Sequence, residues 1–289
     1  MNKIAIITDS NAGITQDEAT QLGVTVVPMP FTIDNDDYYE GINLSQDEFY
    51  DKLMCDVDIM TSQPSPDSVI ETWDKALEDN DQVIYIPMSS GLSGSCQTAY
   101  MLAMEDYEDK VFVVDNQRIS VTQRQSVMDA LALAKAGKDG KAIKEILEKD
   151  KFNSSIYIML DTLKYLKKGG RITPAAAALG ELLKLKPVLQ IQGEKLDAFA
   201  KARTTSQGKS IMINAIRSDA EERFGGMSPD NIILMVAHSH NQENAEEFAN
   251  MLKEEFPGFD IIINPLSLSV ACHIGQGSLA VAICKKLTY

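Results

Sequence analysis

The chain has 289 residues, of which 44% are hydrophobic and 24% are charged. It is therefore long enough to bury a sizeable core in one large domain or in two ordinary ones. The 42 acidic residues outnumber the 27 basic ones, and the net charge is −15. This charge argues against nucleic acid or an anionic membrane as the main partner, because both would be repelled.

The sequence contains no recognisable export or membrane-spanning segment. The apolar run at residues 3–8 is too short for a signal peptide, and no uninterrupted apolar run approaches the roughly 20 residues of a membrane span. We therefore expect a cytoplasmic protein that is not an integral membrane protein. The cysteines at positions 55, 96, 272 and 284 lack metal-ligand spacing, so they are expected to be reduced and structural, and no metal site is predicted.

Strands and helices alternate through the first half of the chain. Ser45 and Glu48 form a capping-box pattern, and Ser65 followed by Pro66 marks the start of the next helix. The acidic segment at residues 34–39 is predicted as a hairpin or an edge strand. This alternation predicts an α/β fold with a doubly wound, mostly parallel sheet, whose ligands bind beyond the carboxyl ends of the strands. Apolar runs predict strands at 3–8, 24–29, 82–88 and 110–115, and helical spacing predicts helices at 15–22, 45–54, 66–78, 96–104, 122–136 and 141–149.

The loop at residues 89–95 follows one of these strands and is rich in serine and glycine. It leads into the helix predicted at residues 96–104, with Ser93 as the predicted N-cap. A hydroxyl beside free backbone N–H groups, with the positive end of a helix dipole behind them, favours a bound carboxylate or phosphate. An ordinary helix cap explains the same residues equally well at this point.

The second half of the chain predicts a separate α+β domain at residues 153–289, after a first domain at 1–152. Gly169 and Gly170 end the first helix of this half, and Arg171 follows at once, where it is better placed to point inward than an arginine within a helix. Strands are predicted at 155–160, 188–191, 195–202, 232–238 and 260–264, and helices at 161–168, from 173 onward, at 204–224 and at 244–256.

Two sets of residues admit an enzymatic or metal-binding interpretation. Gly91 and Ser93 come within one residue of a Gly-x-Ser-x-Gly nucleophile elbow, whose last position is here Ser95, and His273 would serve as the base of such a hydrolase. The glycine motifs of nucleotide-binding enzymes are absent. His238 and His240 are two residues apart, which favours a surface position at a strand end or turn over a metal site.

His273 itself lies between apolar residues, where a polar ring needs a hydrogen-bond partner, and a satisfied core histidine is the commoner outcome. The residue pattern alone does not assign a role to Arg203, since most arginines are solvated.

Short motifs follow one another in a fixed order along nearly the whole chain. In this order and spacing they resemble the motifs of the DegV family of bacterial fatty-acid-binding proteins. The motifs are Thr8-Asp9-Ser10, Thr61-Ser62-Gln63-Pro64-Ser65, the serine and glycine loop at residues 89–95, Val113-Val114-Asp115, residues 161–172 with Gly169-Gly170-Arg171, Lys186-Pro187, Lys201-Ala202-Arg203-Thr204 and His273-Ile274-Gly275-Gln276-Gly277.

The resemblance implies a two-domain DegV-like fold and a non-enzymatic carrier that needs no cofactor. Such a carrier holds one long-chain fatty acid, with its carboxyl between the domains and its tail in an apolar tunnel of the second. In characterised relatives a separate ATP-dependent fatty acid kinase phosphorylates the bound carboxyl, which gives an acyl-phosphate for phospholipid synthesis.

The resemblance also implies roles for individual residues. By motif, Thr61 and Ser93 contact the carboxyl, with Ser62 and Gly94 beside them. His273 matches the family histidine near the head group. Two arginines, Arg171 and Arg203, match basic positions near the cleft or the partner surface.

The sequence departs from the family pattern at two places. The usual His-x-Gly-Pro-Gly has Gln276 in place of proline, and residues 204–206 replace a more basic stretch. Two other functions remain open: a serine hydrolase of acyl esters that uses Ser93 and His273, and a regulator that senses lipid without passing it on.

Overall fold

The computed structural model describes residues 2–55, 57–171, 173–179 and 185–288, with the side chains of all of these except 177–179. Backbone contacts divide the chain into two compact units. The first contains the chain up to Lys151 together with the short segment Ser267–Ser269, and the second contains Phe152–Leu266 and Val270–Thr288.

The first unit is built on a four-stranded parallel sheet and a small antiparallel sheet of three strands. Its strands are β1 (Ile4–Asp9), β2 (Thr25–Val27), β3 (Pro30–Ile33), β4 (Asp36–Tyr39), β5 (Ile59–Thr61), β6 (Gln82–Ile86) and β7 (Val111–Val113). Its helices are α1 (Gln16–Leu22), α2 (Gln46–Met54), α3 (Pro66–Leu77), α4 (Ser95–Asp106), α5 (Ser120–Lys135) and α6 (Gly140–Lys149). The parallel sheet has the order β2-β1-β6-β7, and the small one has the order β4-β3-β5.

The acidic segment at residues 34–39 forms the turn and second strand of a hairpin, as predicted. Asp34 and Asn35 both have positive φ (52° and 74°), the backbone that two-residue hairpin turns require and that Asp and Asn tolerate. The strand predicted at 24–29 is shorter than expected, because the chain leaves the parallel sheet after Val27 and begins β3 at Pro30. The core of this unit includes Trp73 and Tyr85, whose ring centroids are 5.6 Å apart.

The second unit contains one six-stranded mixed sheet in the order β10-β9-β8-β13-β11-β12. The strands are β8 (Ser154–Met159), β9 (Lys186–Ile191), β10 (Leu196–Ala202), β11 (Ile232–His238), β12 (Ile261–Pro265) and β13 (Leu279–Lys285). The helices are α7 (Lys164–Gly169), α8 (Pro174–Leu179), α9 (Thr205–Arg223), α10 (Gln242–Glu255) and α11 (Leu268–Ile274), whose first two residues belong to the first unit. In this sheet β11 pairs with β12 in parallel, and the neighbouring strands from β10 through β9, β8 and β13 to β11 pair antiparallel.

The four-stranded parallel sheet of the first unit and the six-stranded mixed sheet of the second confirm the predicted α/β class. The strands predicted at 188–191 and 195–202 are confirmed as β9 and β10, which pair as an antiparallel hairpin with Ile191 opposite Leu196. The helix predicted at 161–168 begins later, at Lys164, because the Thr162 hydroxyl accepts the Lys164 N–H (3.1 Å) and holds a turn there. The helix predicted from residue 173 onward begins at Pro174 and is described as far as Leu179, and residues 180–184 lie outside the described residues.

The four cysteines, all of which the structure describes, form no disulfide bond with one another, and Cys55 is exposed whereas the other three are buried. Among the helices that the structure describes, none combines the length and the hydrophobicity needed to cross a membrane.

Candidate functional site

Asp9, at the carboxyl end of β1, fixes the point where the serine and glycine loop begins. Its side chain is completely buried and accepts the Met88 N–H (2.9 Å) and the Gln123 amide (3.0 Å), and Asn11 donates to it as well. Burial raises the pKa of Asp9, against the lowering effect of these donors. The carboxyl therefore anchors the residue that leads from β6 into the loop.

The loop at residues 89–94 is held in one conformation by hydrogen bonds at both of its sides. The Ser89 N–H donates to the Arg118 carbonyl (2.9 Å), and the Ser89 carbonyl accepts the N–H groups of Leu92 (3.0 Å) and Ser93 (3.2 Å). The Ser90 hydroxyl donates to Asp115 at 2.7 Å. Because these bonds occupy the loop's own polar groups, the loop presents a pre-formed surface at the start of α4.

The predicted N-cap role of Ser93 is wrong, since α4 begins one residue later, with Gly94 as its N-cap residue. Glycine has no side chain to cap with, so the start of α4 lacks the side-chain cap that Ser45 and Ser65 give to α2 and α3. The Ser93 oxygen accepts the Ser95 N–H instead (3.2 Å), and the Ser95 hydroxyl is buried without a hydrogen-bond partner among the described residues. The first turn of α4 therefore has backbone N–H groups that no N-cap side chain satisfies, at the positive end of the helix dipole.

The segment that contains Thr61 and Ser62 lies beside this helix start. Thr61 ends β5, opposite Phe31, and the Ser62 N–H donates to the Pro30 carbonyl (3.2 Å). Gln63 then reaches α4: its amide bonds to the Thr98 hydroxyl (3.2 Å), and its Oε1 would lie 3.3 Å from a Cβ placed on Gly94. The first unit therefore brings together the segment of Thr61 and the helix start at Gly94, both of which the sequence singled out.

In the second unit, His273 lies against the end of α7. A Cβ added to Gly169 would be 2.4 Å from His273 Nδ1, so only glycine allows the imidazole ring to approach the backbone this closely. Burial, and then the charge of Arg171, lower the pKa of His273 to about 4. His273 is therefore a neutral ring at pH 7, with Arg171 near enough to influence it.

The two arginines are at the surface. The position of Arg171 after Gly170 favours an inward orientation more than a position within a helix does, but the residue is exposed and folds back to donate to the Gly169 carbonyl. Its own helix end offers this free carbonyl, which satisfies the guanidinium locally. Arg203 is also exposed, directly before α9, where its N–H donates to Gln207 Oε1 (2.7 Å).

The turn at Gly275 and Gly277 packs on the α7 region. Both glycines have positive φ (83° and 87°), and a Cβ on Gly275 would meet the Tyr165 ring at 2.6 Å. A Cβ on Gly277 would lie 2.7 Å from an Asp161 carboxyl oxygen, and Asp161 forms an ion pair with Lys186. Gln276, which replaces the family proline, bonds through its amide to His240 (2.9 Å).

His238 does not have the surface position predicted for it. It ends β11 as expected but is buried, where its Nδ1 accepts the Asn241 N–H (3.2 Å) and burial lowers its pKa. A strand end can be buried when later residues fold over it, and residues 275–278 do so by bonding to Ser239. In the part of the chain that the structure describes, no group of three or more His, Cys, Asp or Glu side chains is placed to hold a metal ion.

Some residues around the site were not found from the sequence. Asp9 and Asp115 fall at strand ends, which is a signal, but their roles as anchors of the loop depend on partners far along the chain. Gln123 gave no signal, because an amide in a helix is usually solvated. Gln63 was singled out only as a member of the motif Thr61-Ser62-Gln63-Pro64-Ser65, without a role of its own.

Comparisons with known proteins agree with this architecture along the whole chain. The model of a family described as "Uncharacterised protein, DegV family" matches residues 3–286. A DegV domain-containing protein from Clostridium perfringens is 32% identical over 291 residues, which covers 97% of each chain.

Two solved structures have nearly the same fold. One, titled as fatty acid binding of a DegV family protein from Thermus thermophilus, is 29% identical, with a TM-score of 0.88 over 98% of this chain and 100% of that one. The other, described as DegV, a fatty acid binding protein from Bacillus subtilis, is 26% identical, with a TM-score of 0.87 over 99% of this chain and 100% of that one.

Proposed function

This chain belongs to the DegV family, and on that premise we propose that it binds one long-chain fatty acid and presents the carboxyl to a separate ATP-dependent fatty acid kinase for acyl-phosphate formation. The solved relatives from Thermus thermophilus and Bacillus subtilis, whose titles state fatty acid binding, support the first part. The kinase step rests on the family resemblance alone.

The observation that carries the proposal is the uncapped start of α4. A carboxylate cannot be buried without donors, and here backbone N–H groups, the helix dipole and the Ser93 hydroxyl converge next to the segment of Thr61 and Ser62. The Ser93 oxygen already accepts one bond, and a hydroxyl also has a proton to donate. We therefore assign carboxyl binding to Thr61, Ser62, Ser93 and Gly94.

The remaining assignments follow the family motifs. We propose that His273, Arg171 and Arg203 contribute to ligand binding or to the surface that a partner meets, and that the acyl tail occupies an apolar tunnel formed by the second unit. At roughly 0.8 kcal/mol for each buried methylene, a long tail would supply most of the affinity. A neutral His273 would bind the acid by hydrogen bonding and not as a cation.

Mass spectrometry of the protein as purified tests the binding proposal directly. Organic extracts made under denaturing conditions, from protein expressed in several hosts, should release intact long-chain fatty acids in near-stoichiometric amounts. A Thr61→Ala/Ser93→Ala variant prepared in parallel should carry less acid, and Thr20→Ala, which removes an exposed hydroxyl of α1, should not. Extracts without acyl chains from every host would refute the proposal.

A second assay separates the carrier from the lipid sensor and from the acyl-ester hydrolase. Protein loaded with fatty acid, incubated with ATP and a bacterial fatty acid kinase, should give acyl-phosphate that hydroxylamine traps; bound acid without any trapped product would favour a sensor. A fluorophosphonate probe should leave Ser93 unlabelled, and labelling that requires both Ser93 and His273 would favour a hydrolase.

A further inference from the structure

The outward face of α4 carries large apolar side chains where a solvated helix is usually polar. Tyr100, Met101 and Met104 are 43%, 62% and 64% exposed. Tyr100 and Met104 are four residues apart and Met101 and Met104 are three apart, so the side chains form one stripe. Another face of the helix is buried through Cys96 and Ala99. The stripe is therefore not explained by the packing of the first unit.

A shallow groove continues this stripe toward the edge strand β7. It has a volume of about 160 Å³ and is lined by Tyr100, Ala103, Met104, Val111 and Phe112, and the acidic residues Glu108 and Asp109 line it as well. Lys144 also lines it but is engaged by Glu148 and by the Val113 carbonyl, so it does not neutralise the acids. The α4 patch below means the stripe, the groove and the four acidic residues at positions 105, 106, 108 and 109.

The acids of the α4 patch lie where they weaken the helix. Glu105 and Asp106 are in the last turn of α4, near the negative end of its dipole, and that turn has no basic residue. With Glu108 and Asp109 they form an exposed anionic rim. Within the described part of the chain, none of these four carboxylates forms an ion pair. The fold alone gives no reason for this arrangement.

We propose that the α4 patch is a docking site for a basic amphipathic helix of a partner protein. Methionine side chains are flexible and polarizable, so they suit an apolar helix face laid into a groove. The anionic rim complements lysine or arginine on the flank of such a helix and speeds its encounter. The same rim repels an anionic membrane, which argues against a lipid surface as the occupant.

The test uses a synthetic, fluorescein-labelled 18-residue peptide of leucine and lysine with one apolar helical face, titrated into the full-length protein and followed by anisotropy. Saturable one-to-one binding that weakens as salt rises is expected. Met101→Ser/Met104→Ser should weaken it at least tenfold, and Glu105→Gln/Asp106→Asn should weaken it and flatten its salt dependence. Hydrogen exchange should show protection of residues 100–109 on binding.

Matched controls distinguish the patch from general stickiness and charge. Met54→Ser removes a methionine that is 66% exposed at the end of α2, and Glu78→Gln/Asp79→Asn removes two exposed acids that follow α3; both should stay within twofold of the parent. Equal weakening by the controls, or binding that survives the methionine changes, would overturn the proposal.

Two other occupants are tested with the same variants. Sedimentation that shows a dimer lost in Met101→Ser/Met104→Ser would assign the patch to a second copy of the chain. Binding of vesicles of phosphatidylcholine and phosphatidylglycerol that needs the same methionines would assign it to a membrane. Either result would overturn a protein partner.

Discussion

Ser93 and Thr61 supply hydroxyls on two segments that Gln63 ties together in the first unit. Replacing either by alanine should weaken fatty-acid binding by about 1–3 kcal/mol, roughly 5- to 150-fold, because a buried carboxylate is left short of a donor. Displacement of a fluorescent fatty acid measures the loss. Thr20→Ala is the control, and unchanged affinity in both site variants would place the carboxyl elsewhere.

The His273 ring should remain neutral at pH values well below 6.5, the ordinary pKa of histidine. Burial is the main cause, and Arg171 adds to it, so NMR of the ring should show titration near pH 4. Since this pKa is depressed relative to the unfolded value near 6.5, the contribution of His273 to stability is present above pH 6.5 and is lost as the pH falls toward 4.

Arg171 and Arg203 provide a matched pair of variants for testing what sets the pKa of His273. Arg171→Gln should raise the pKa of His273, because a nearby positive charge is removed. Arg203→Gln should leave it unchanged, since Arg203 is not among the groups that shift it. Titration of His273 between pH 6 and 7 in the parent protein would show that the ring is solvated and that this environment is wrongly described.

At the scale of elements, the packing of the Gly275 turn on α7 can be measured with two glycines that share a backbone conformation. Gly275→Ala adds a methyl group 2.6 Å from the Tyr165 ring at φ +83°, whereas Gly170→Ala adds one into open space at φ +67°. The first should cost roughly 2–5 kcal/mol of unfolding free energy and the second about 1–2, since only the first adds overpacking to backbone strain.

Hydrogen exchange of the amides in β8 and β13 reports the stability of the second unit in each variant. Equal destabilisation would mean that Tyr165 moves aside without cost and that the turn is not packed as tightly as the geometry indicates. The comparison bears on the site, because the same turn follows α11, which carries His273.

Elements with local signals were predictable from the sequence, and those defined by distant contacts were not. The capping box of Ser45 and Glu48 involves residues three apart, so the start of α2 was correctly predicted. β13 was not assigned, although it lies at the centre of the second sheet, because a short apolar run after a glycine turn has no distinctive period. Its identity as a strand comes from pairing with β8 and β11, more than 40 residues away in sequence.

The candidate site shows the same division. The loop at 89–95 and the Thr61 segment were recognised from residue types and motif order, which are local properties. Gln123 bonds to Asp9 across 114 residues, and no local pattern contains that information. The placement of Ser93 failed by one residue for a related reason: serine is the better N-cap by propensity, but contacts of Gln63 with Gly94 and Thr98 belong to the tertiary fold.

At the scale of the whole molecule, the first unit includes residues from far along the chain. The Ser267–Ser269 segment belongs to it, and the Leu268 N–H donates to Glu40 (2.9 Å) across 228 residues. Burial raises the pKa of Glu40 to about 7, although hydrogen bonds from Leu268, Gln46 and Ser10 lower it in part. One Glu40 oxygen is buried and has no hydrogen-bond partner among the residues that the structure describes, which favours the protonated form of the carboxyl.

This raised pKa makes the stability of the first unit depend on pH in a defined direction. The stabilising contribution of Glu40 is fully present below the unfolded pKa near 4.5 and is lost as the pH rises through about 7. Glu40→Gln keeps an acceptor for Leu268 and a neutral side chain at every pH. Its stability relative to the parent should therefore increase from pH 5 to pH 8, by at most about 3 kcal/mol.

Urea unfolding followed by tryptophan fluorescence measures the stability of the first unit, because Trp73 is the one tryptophan of the chain and is buried in that unit. The control Glu78→Gln, at an exposed position after α3, should show no such trend with pH. If the stability difference between Glu40→Gln and the parent is the same at every pH, the Glu40 carboxyl is solvated in the folded protein.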